Sequence, residues 1–107
     1  MEEMELMSMT EVIVATVHPG EIILFASYAK GFERPDSDVD LLVVVPDSEE
    51  SRKRRHMTGR LYRSLSSYPV AKDILVFTRS EFEHWREVPG HIVATSFQEG
   101  RRLYARS

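Results

Sequence analysis

The chain has no cysteine, which excludes disulfides and thiolate metal sites alike. It also lacks a long apolar run. The longest, Val39 to Val45, is strand-sized and broken by Asp40, far short of the ~20 residues that cross a bilayer. No membrane partner is therefore expected. A positively charged leader is missing too: the amino terminus reads MEEMELMSM, acidic and rich in methionine, which argues against a secretory signal. Cytoplasmic residence is the default expectation. Basic excess is absent as well. Fourteen Lys and Arg face 17 Asp and Glu, a net charge of −3 that does not suit a protein whose main work is coating nucleic acid. There is no Walker-type Gly-Lys-Ser/Thr loop and no Ser–His–Asp set. His18, His56, His84 and His91 show no metal-ligand spacing and read as structural.

What is present is an ordinary globular composition, 42% hydrophobic and 29% charged over 107 residues. A chain of this size buries roughly two-thirds of its unfolded surface. Residues 1–9 read as a flexible lead-in and residues 10–107 as a single domain, with no linker or repeat. Thr10 is placed to cap a short helix that carries Val12, Ile13 and Val17 and ends at His18-Pro19-Gly20. Glu21 to Phe25 reads as a buried strand, and Asp38 to Val45 as a second strand with apolar residues on both faces, hence central. Pro46-Asp47-Ser48 stops that strand and predicts a helix from there to about Ser66, with Glu49 and Glu50 in its first turn. Val70 to Thr78 reads as a third strand. Ser80 and Glu83 have capping-box spacing ahead of a short helix holding Phe82 and Trp85, which read as core. A further helix spans His91 to Glu99 and ends at Gly100, and Arg102 to Tyr104 predicts an edge strand. This order defines an α+β chain of the mixed-sheet α/β type, a small mixed β-sheet packed with helices.

Three carboxylates stand out from this frame. Asp38 and Asp40 lie two apart on a strand, so both point to one face, roughly 6–7 Å apart at the backbone. That suits oxygen-seeking hard cations. Asp73 sits in the third strand beside Ile74-Leu75-Val76-Phe77, where an ionised group needs a partner, water or a metal. An isolated Asp-x-Asp is weak, since roughly one random chain in three of this length contains one. The combination carries more: two acids entering a buried strand, a third on another strand, and a small-residue turn upstream. That turn, Ala26-Ser27-Tyr28-Ala29-Lys30-Gly31, can bring backbone N–H groups and the Ser27 hydroxyl to a phosphate. A plain structural turn is the competing reading. Lys30 and Arg34 can likewise meet phosphate or simply face solvent.

The stretch ILFASYAKGFERPDSDVDLLVVV resembles the motif of the minimal nucleotidyltransferases, within the DNA polymerase beta-like nucleotidyltransferase superfamily. Their pattern is a hydrophobic strand, Gly-Ser, ten residues, then Asp-x-Asp in a second strand. Ten residues separate Ser27 from Asp38 here. The similarity continues through Gln98-Glu99-Gly100-Arg101-Arg102-Leu103-Tyr104. It implies the minimal nucleotidyltransferase fold and catalytic, metal-holding roles for Asp38, Asp40 and Asp73. It also implies two magnesium ions, ATP as substrate, and phosphate contacts from Ala26, Ser27, Lys30 and Gly31. Ala26 departs from the family glycine, and a methyl group there would hinder close approach to phosphate.

Short members of this kind resemble the antitoxin of HEPN–nucleotidyltransferase toxin–antitoxin pairs. There the enzyme adenylylates a tyrosine of the HEPN toxin, an RNase. The resemblance thus implies a HEPN-domain partner, an oligomer formed with it, and protein AMPylation. The alternative is a weak or inactive member that acts by stoichiometric contact. Arg52-Lys53-Arg54-Arg55-His56 is a basic run that reads as a solvated helix face or as a dock for an acidic partner surface or RNA.

Overall fold

The structure, a computed structural model, describes residues 3–25 and 39–106. Eight elements follow in chain order: α1 (Glu3–Val17), β1 (Glu21–Phe25), β2 (Val39–Val45), α2 (Arg54–Ser64), β3 (Lys72–Thr78), α3 (Arg79–Trp85), α4 (Ile92–Glu99) and β4 (Arg101–Ala105). The strands form one mixed sheet in the order β3-β2-β1-β4. β1 pairs antiparallel with both β2 and β4, whereas β2 and β3 run parallel. A parallel pair needs a crossover of a dozen or more residues, and α2 supplies it. The expected order of elements and the α+β class are both found.

Each face of the sheet carries its own apolar layer. Alternate residues of β2 point to opposite sides, as a period of two dictates. Val39, Leu41, Val43 and Val45 join Ile22 and Leu24 beneath α1 and α2, with Leu6, Met9, Ile13, Met57 and Leu61 above them. On the other face Leu42, Val44 and Ile23 pack against Phe82 of α3 and Val93 of α4. β2 is buried on both sides, as its continuous apolar run requires.

Four boundaries differ from those the sequence suggests. Residues 3–9, expected as a loose lead-in, are the first half of α1. Leu6, Met9, Ile13 and Val17 form one buried stripe, and Thr10 lies mid-helix, its hydroxyl donating to the Leu6 carbonyl at 2.9 Å. α2 begins at Arg54 and not near Ser48, because Ser48 and Ser51 close a local turn: each backbone N–H donates to the other's hydroxyl, at 2.9 and 3.1 Å. Glu49 and Glu50 therefore precede the helix, and its first turn contains no acid. β3 starts at Lys72, two residues later than expected. The capping box ahead of α3 uses Thr78 and Glu81, not Ser80 and Glu83. The Glu81 N–H donates to the Thr78 hydroxyl at 3.2 Å, and the Thr78 N–H to the Glu81 carboxylate at 2.9 Å.

Gly100 does end α4, but in an extended conformation and not through a left-handed turn. Its lack of a side chain is needed for another reason. A Cβ there would lie 2.4 Å from the Ser96 carbonyl oxygen and 2.9 Å from that of Leu24. The chain passes between helix and sheet with no room for a methyl group. β3 is an outer strand, and one of its outward N–H groups, at Ile74, donates to the Tyr62 hydroxyl of α2 at 3.0 Å. Among the described residues no helix is long and apolar enough to cross a membrane.

Candidate active site

Parallel pairing of β2 and β3 brings the acidic side chains of two distant segments together. In this register Asp40 is the partner of Asp73, and the ladder continues through Leu41 and Ile74 to Val45 and Thr78. The pairing is anchored at its start by Val39, whose N–H donates to the Ala71 carbonyl at 2.8 Å. Neighbouring strands lie about 4.8 Å apart, so the two aspartates stand side by side. Both belong to the face that carries Leu42 and Leu75, the face beneath α3 and α4.

The helices stop short of this row. Phe82 and Val93 cover Leu42 and Val44, further along the strand, whereas Asp40 is half-buried and Asp73 exposed. The same alternation that builds the apolar layer thus delivers two carboxylates to its uncovered margin. On the opposite side of Asp40, its partner in β1 is Phe25, half-buried and packed on the same layer. Nothing in the local pattern singles out Phe25 as a neighbour, since the antiparallel pairing joins separate segments.

The donor chemistry fits a hard divalent cation. Two adjacent carboxylates on one face supply the oxygen ligands that such a cation prefers. Among the described residues no group of three His, Cys, Asp or Glu side chains could hold a metal ion. Asp38, Ala26, Ser27, Lys30 and Gly31, the other candidates from the sequence, lie outside the described residues.

Other charged groups are placed for stability. Glu21, at the far end of β1, is only 12% exposed and is held by Arg79 at 2.9 Å and Arg102 at 3.3 Å. Burial tends to raise the Glu81 carboxyl, but hydrogen bonds from Arg54 and from the Thr78 backbone outweigh it and leave the group below its ordinary value. Asp47 is likewise lowered, chiefly by the Ser80 hydroxyl and then by the Ser80 N–H at 3.2 Å. His91 caps α4, its Nδ1 accepting from the Val93 N–H at 3.1 Å, and stacks on Trp85 with ring centroids 4.2 Å apart. Phe82 is fully buried. These residues are structural, as their positions beside turns and on helix stripes suggest. The pocket of about 240 Å³ between α1 and β4 does not border the aspartate pair.

A small mixed four-stranded sheet packed with helices is a fold shared with nucleotidyltransferases. The chain belongs to that family: the nucleotidyltransferase domain model matches residues 10–105. No curated protein matches the chain. Solved structures do. A candidate nucleotidyltransferase from Sulfolobus solfataricus superposes with a TM-score of 0.63 at 18% identity, over 96% of this chain and 79% of that one. A toxin–antitoxin structure with AMP-PNP gives 0.57 at 17% identity, over 94% and 74%. A mutant of the toxin–antitoxin MntA-HpeT, with two aspartates two positions apart changed to glutamate, gives 0.57 at 15%, over 100% and 76%. At these identities the likeness is one of fold.

Proposed function

We propose that this chain is a magnesium-dependent adenylyltransferase that moves AMP from ATP to an acceptor hydroxyl, a tyrosine of a HEPN-type RNase toxin in the cytoplasm. The observation that carries the reading is the register pairing of Asp40 with Asp73 on the uncovered margin of the sheet. Likeness in fold to toxin–antitoxin structures, one of them with AMP-PNP and one altered at two aspartates, supports both the nucleotide and the protein partner.

In this reading Asp38, Asp40 and Asp73 hold the magnesium. When bound, the metal neutralises triphosphate charge and makes the acceptor hydroxyl easier to deprotonate. Asp73, the more exposed of the described pair, takes the proton from the tyrosine hydroxyl. The phenolic oxygen forms a bond to the α-phosphorus as the bond from that phosphorus to the bridging oxygen breaks, and pyrophosphate leaves. Ser27 and the N–H groups near Gly31 orient the β- and γ-phosphates. The test is transfer of label from α-labelled ATP to a co-expressed HEPN protein. Asp40→Asn and Asp73→Asn should each lower it about 10²–10³-fold, roughly 3–4 kcal/mol of transition-state stabilisation, with the circular dichroism unchanged. Persistent transfer in both variants would remove the carboxylates from the chemistry.

Ala26, in place of the family glycine, favours a second reading in which the chain silences its partner by stoichiometric contact. Under it, the Asp→Asn variants still protect cells from the toxin. Restoring glycine at 26 separates the two, because a rise in transfer rate shows that the methyl group limits an active site.

A further inference from the structure

Part of the basic run, Arg55 and His56, lies on the outward face of α2, on the side of the sheet away from the aspartate side chains. α2 buries Met57, Leu61 and Leu65 against the α1 layer. Helical spacing then turns Arg55, His56, Gly59 and Arg63 outward, and Arg55, His56 and Arg63 are exposed. Arg52 and Lys53, also exposed, extend the positive charge past the amino end of the helix.

One cation of the run, Arg54, and a second on the helix, Arg60, already have partners within the fold. Arg54 binds Glu81 at 2.5 Å, and Arg60 binds Glu50 at 2.9 Å and the Thr16 carbonyl at 2.7 Å. Among the described residues Arg52, Arg55 and Arg63 have no ion-pair partner. The arrangement also costs the helix stability. Its first turn holds Arg54 and Arg55 and no acid, against the preference for negative charge at that end.

Gly59 is the second observation. It is half-buried in the middle of α2, where alanine is the better helix former. The space above it is open to all but the tip of one flexible side chain: a Cβ would lie 3.2 Å from the Arg63 guanidinium and meet nothing else closer than 4.0 Å. No internal packing demands the glycine. A bare backbone patch flanked by arginines suits the close approach of another backbone carrying negative charge.

We propose that the outer face of α2, with Arg55 and Arg63 on either side of Gly59, is a docking strip for an acidic helix of a protein partner. A helix crossing at Gly59 can approach more closely than side chains would otherwise permit, and its carboxylates reach the flanking guanidiniums. The strip is independent of the nucleotide chemistry, which occupies the other face.

The test uses the full chain and two labelled probes of equal charge, a helical Glu/Ala peptide and a single-stranded oligouridine, followed by fluorescence anisotropy at low salt. The peptide should bind, and Arg55→Glu with Arg63→Glu should weaken it at least tenfold. Gly59→Ala should weaken it severalfold while raising the melting temperature by about 4–8 °C, the shift expected for removing a mid-helix glycine. A rise in melting temperature with undiminished peptide binding would overturn the role of Gly59. Unchanged peptide binding in the double-charge variant would overturn the strip, as would tighter binding of the oligouridine than of the peptide.

Discussion

The two ends of the sheet handle acidic side chains in opposite ways. At the start of β1, Glu21 is nearly buried and clasped by Arg79 and Arg102, so its charge is answered from within the fold. At the start of β2 and β3, Asp40 and Asp73 are set against each other, with the helical layer withdrawn. An acid paired with arginine stabilises a structure. Two acids side by side on neighbouring strands add like charge to one spot and supply oxygen ligands of the kind a hard cation prefers.

The contrast can be broken first at the carboxylate end. Replacing Asp40 or Asp73 by asparagine is expected to lower transfer activity about 10²–10³-fold without destabilising the fold. Glu21→Ala should do the reverse, costing about 1 kcal/mol in urea denaturation because a nearly buried carboxylate and its pairs with Arg79 and Arg102 are removed, with the aspartate pair intact. A smaller effect sharpens the point. In metal-free buffer Asp73→Asn should stabilise the fold by roughly 0.5 kcal/mol, since a like-charged cross-strand neighbour is removed, and added magnesium should raise the melting temperature of the parent chain only.

The smallest effect concerns Glu81. Its carboxyl is lowered in the folded state, so its contribution is present above the ordinary glutamate range near pH 4.3 and disappears as pH falls through the lowered value. Thermal melts of Glu81→Gln should therefore fall below the parent at pH 7 and converge with it as pH falls through the lowered value. A gap that persists into acid would mean the carboxylate charge is not what matters.

Much of the fold was legible in local pattern. β1 runs from Glu21 to Phe25 as its branched apolar residues suggest, and the order of all eight elements follows from periodicity and breakers. α1 extends further than its sequence suggests because methionine and glutamate near a terminus resemble a tail, although Leu6, Met9, Ile13 and Val17 lie at helical spacing. Two overlapping capping signals, Thr78/Glu81 and Ser80/Glu83, have the same spacing, and only the end of β3 decides between them. Ser48 and Ser51 satisfy each other and so delay α2, a contact that no propensity records.

The site was legible in its residues but not in its geometry. Asp40 and Asp73 each stood out as acids among apolar neighbours. That they are partners in one register depends on the crossover through α2, and Phe25 joins the row only through the antiparallel pairing of β1. Pairing between distant segments is set by tertiary packing, which local sequence pattern does not encode.

β3 has a strand on one side only, and on its other side the Tyr62 hydroxyl holds the Ile74 N–H. One member of the acid pair therefore rides on the outermost ribbon of the sheet, immediately beside that tether. Peeling back a few residues of this margin would part the two acids long before the molecule unfolds. Under the proposed function that separation would halt transfer, and amide exchange at Ile74 would be its clock.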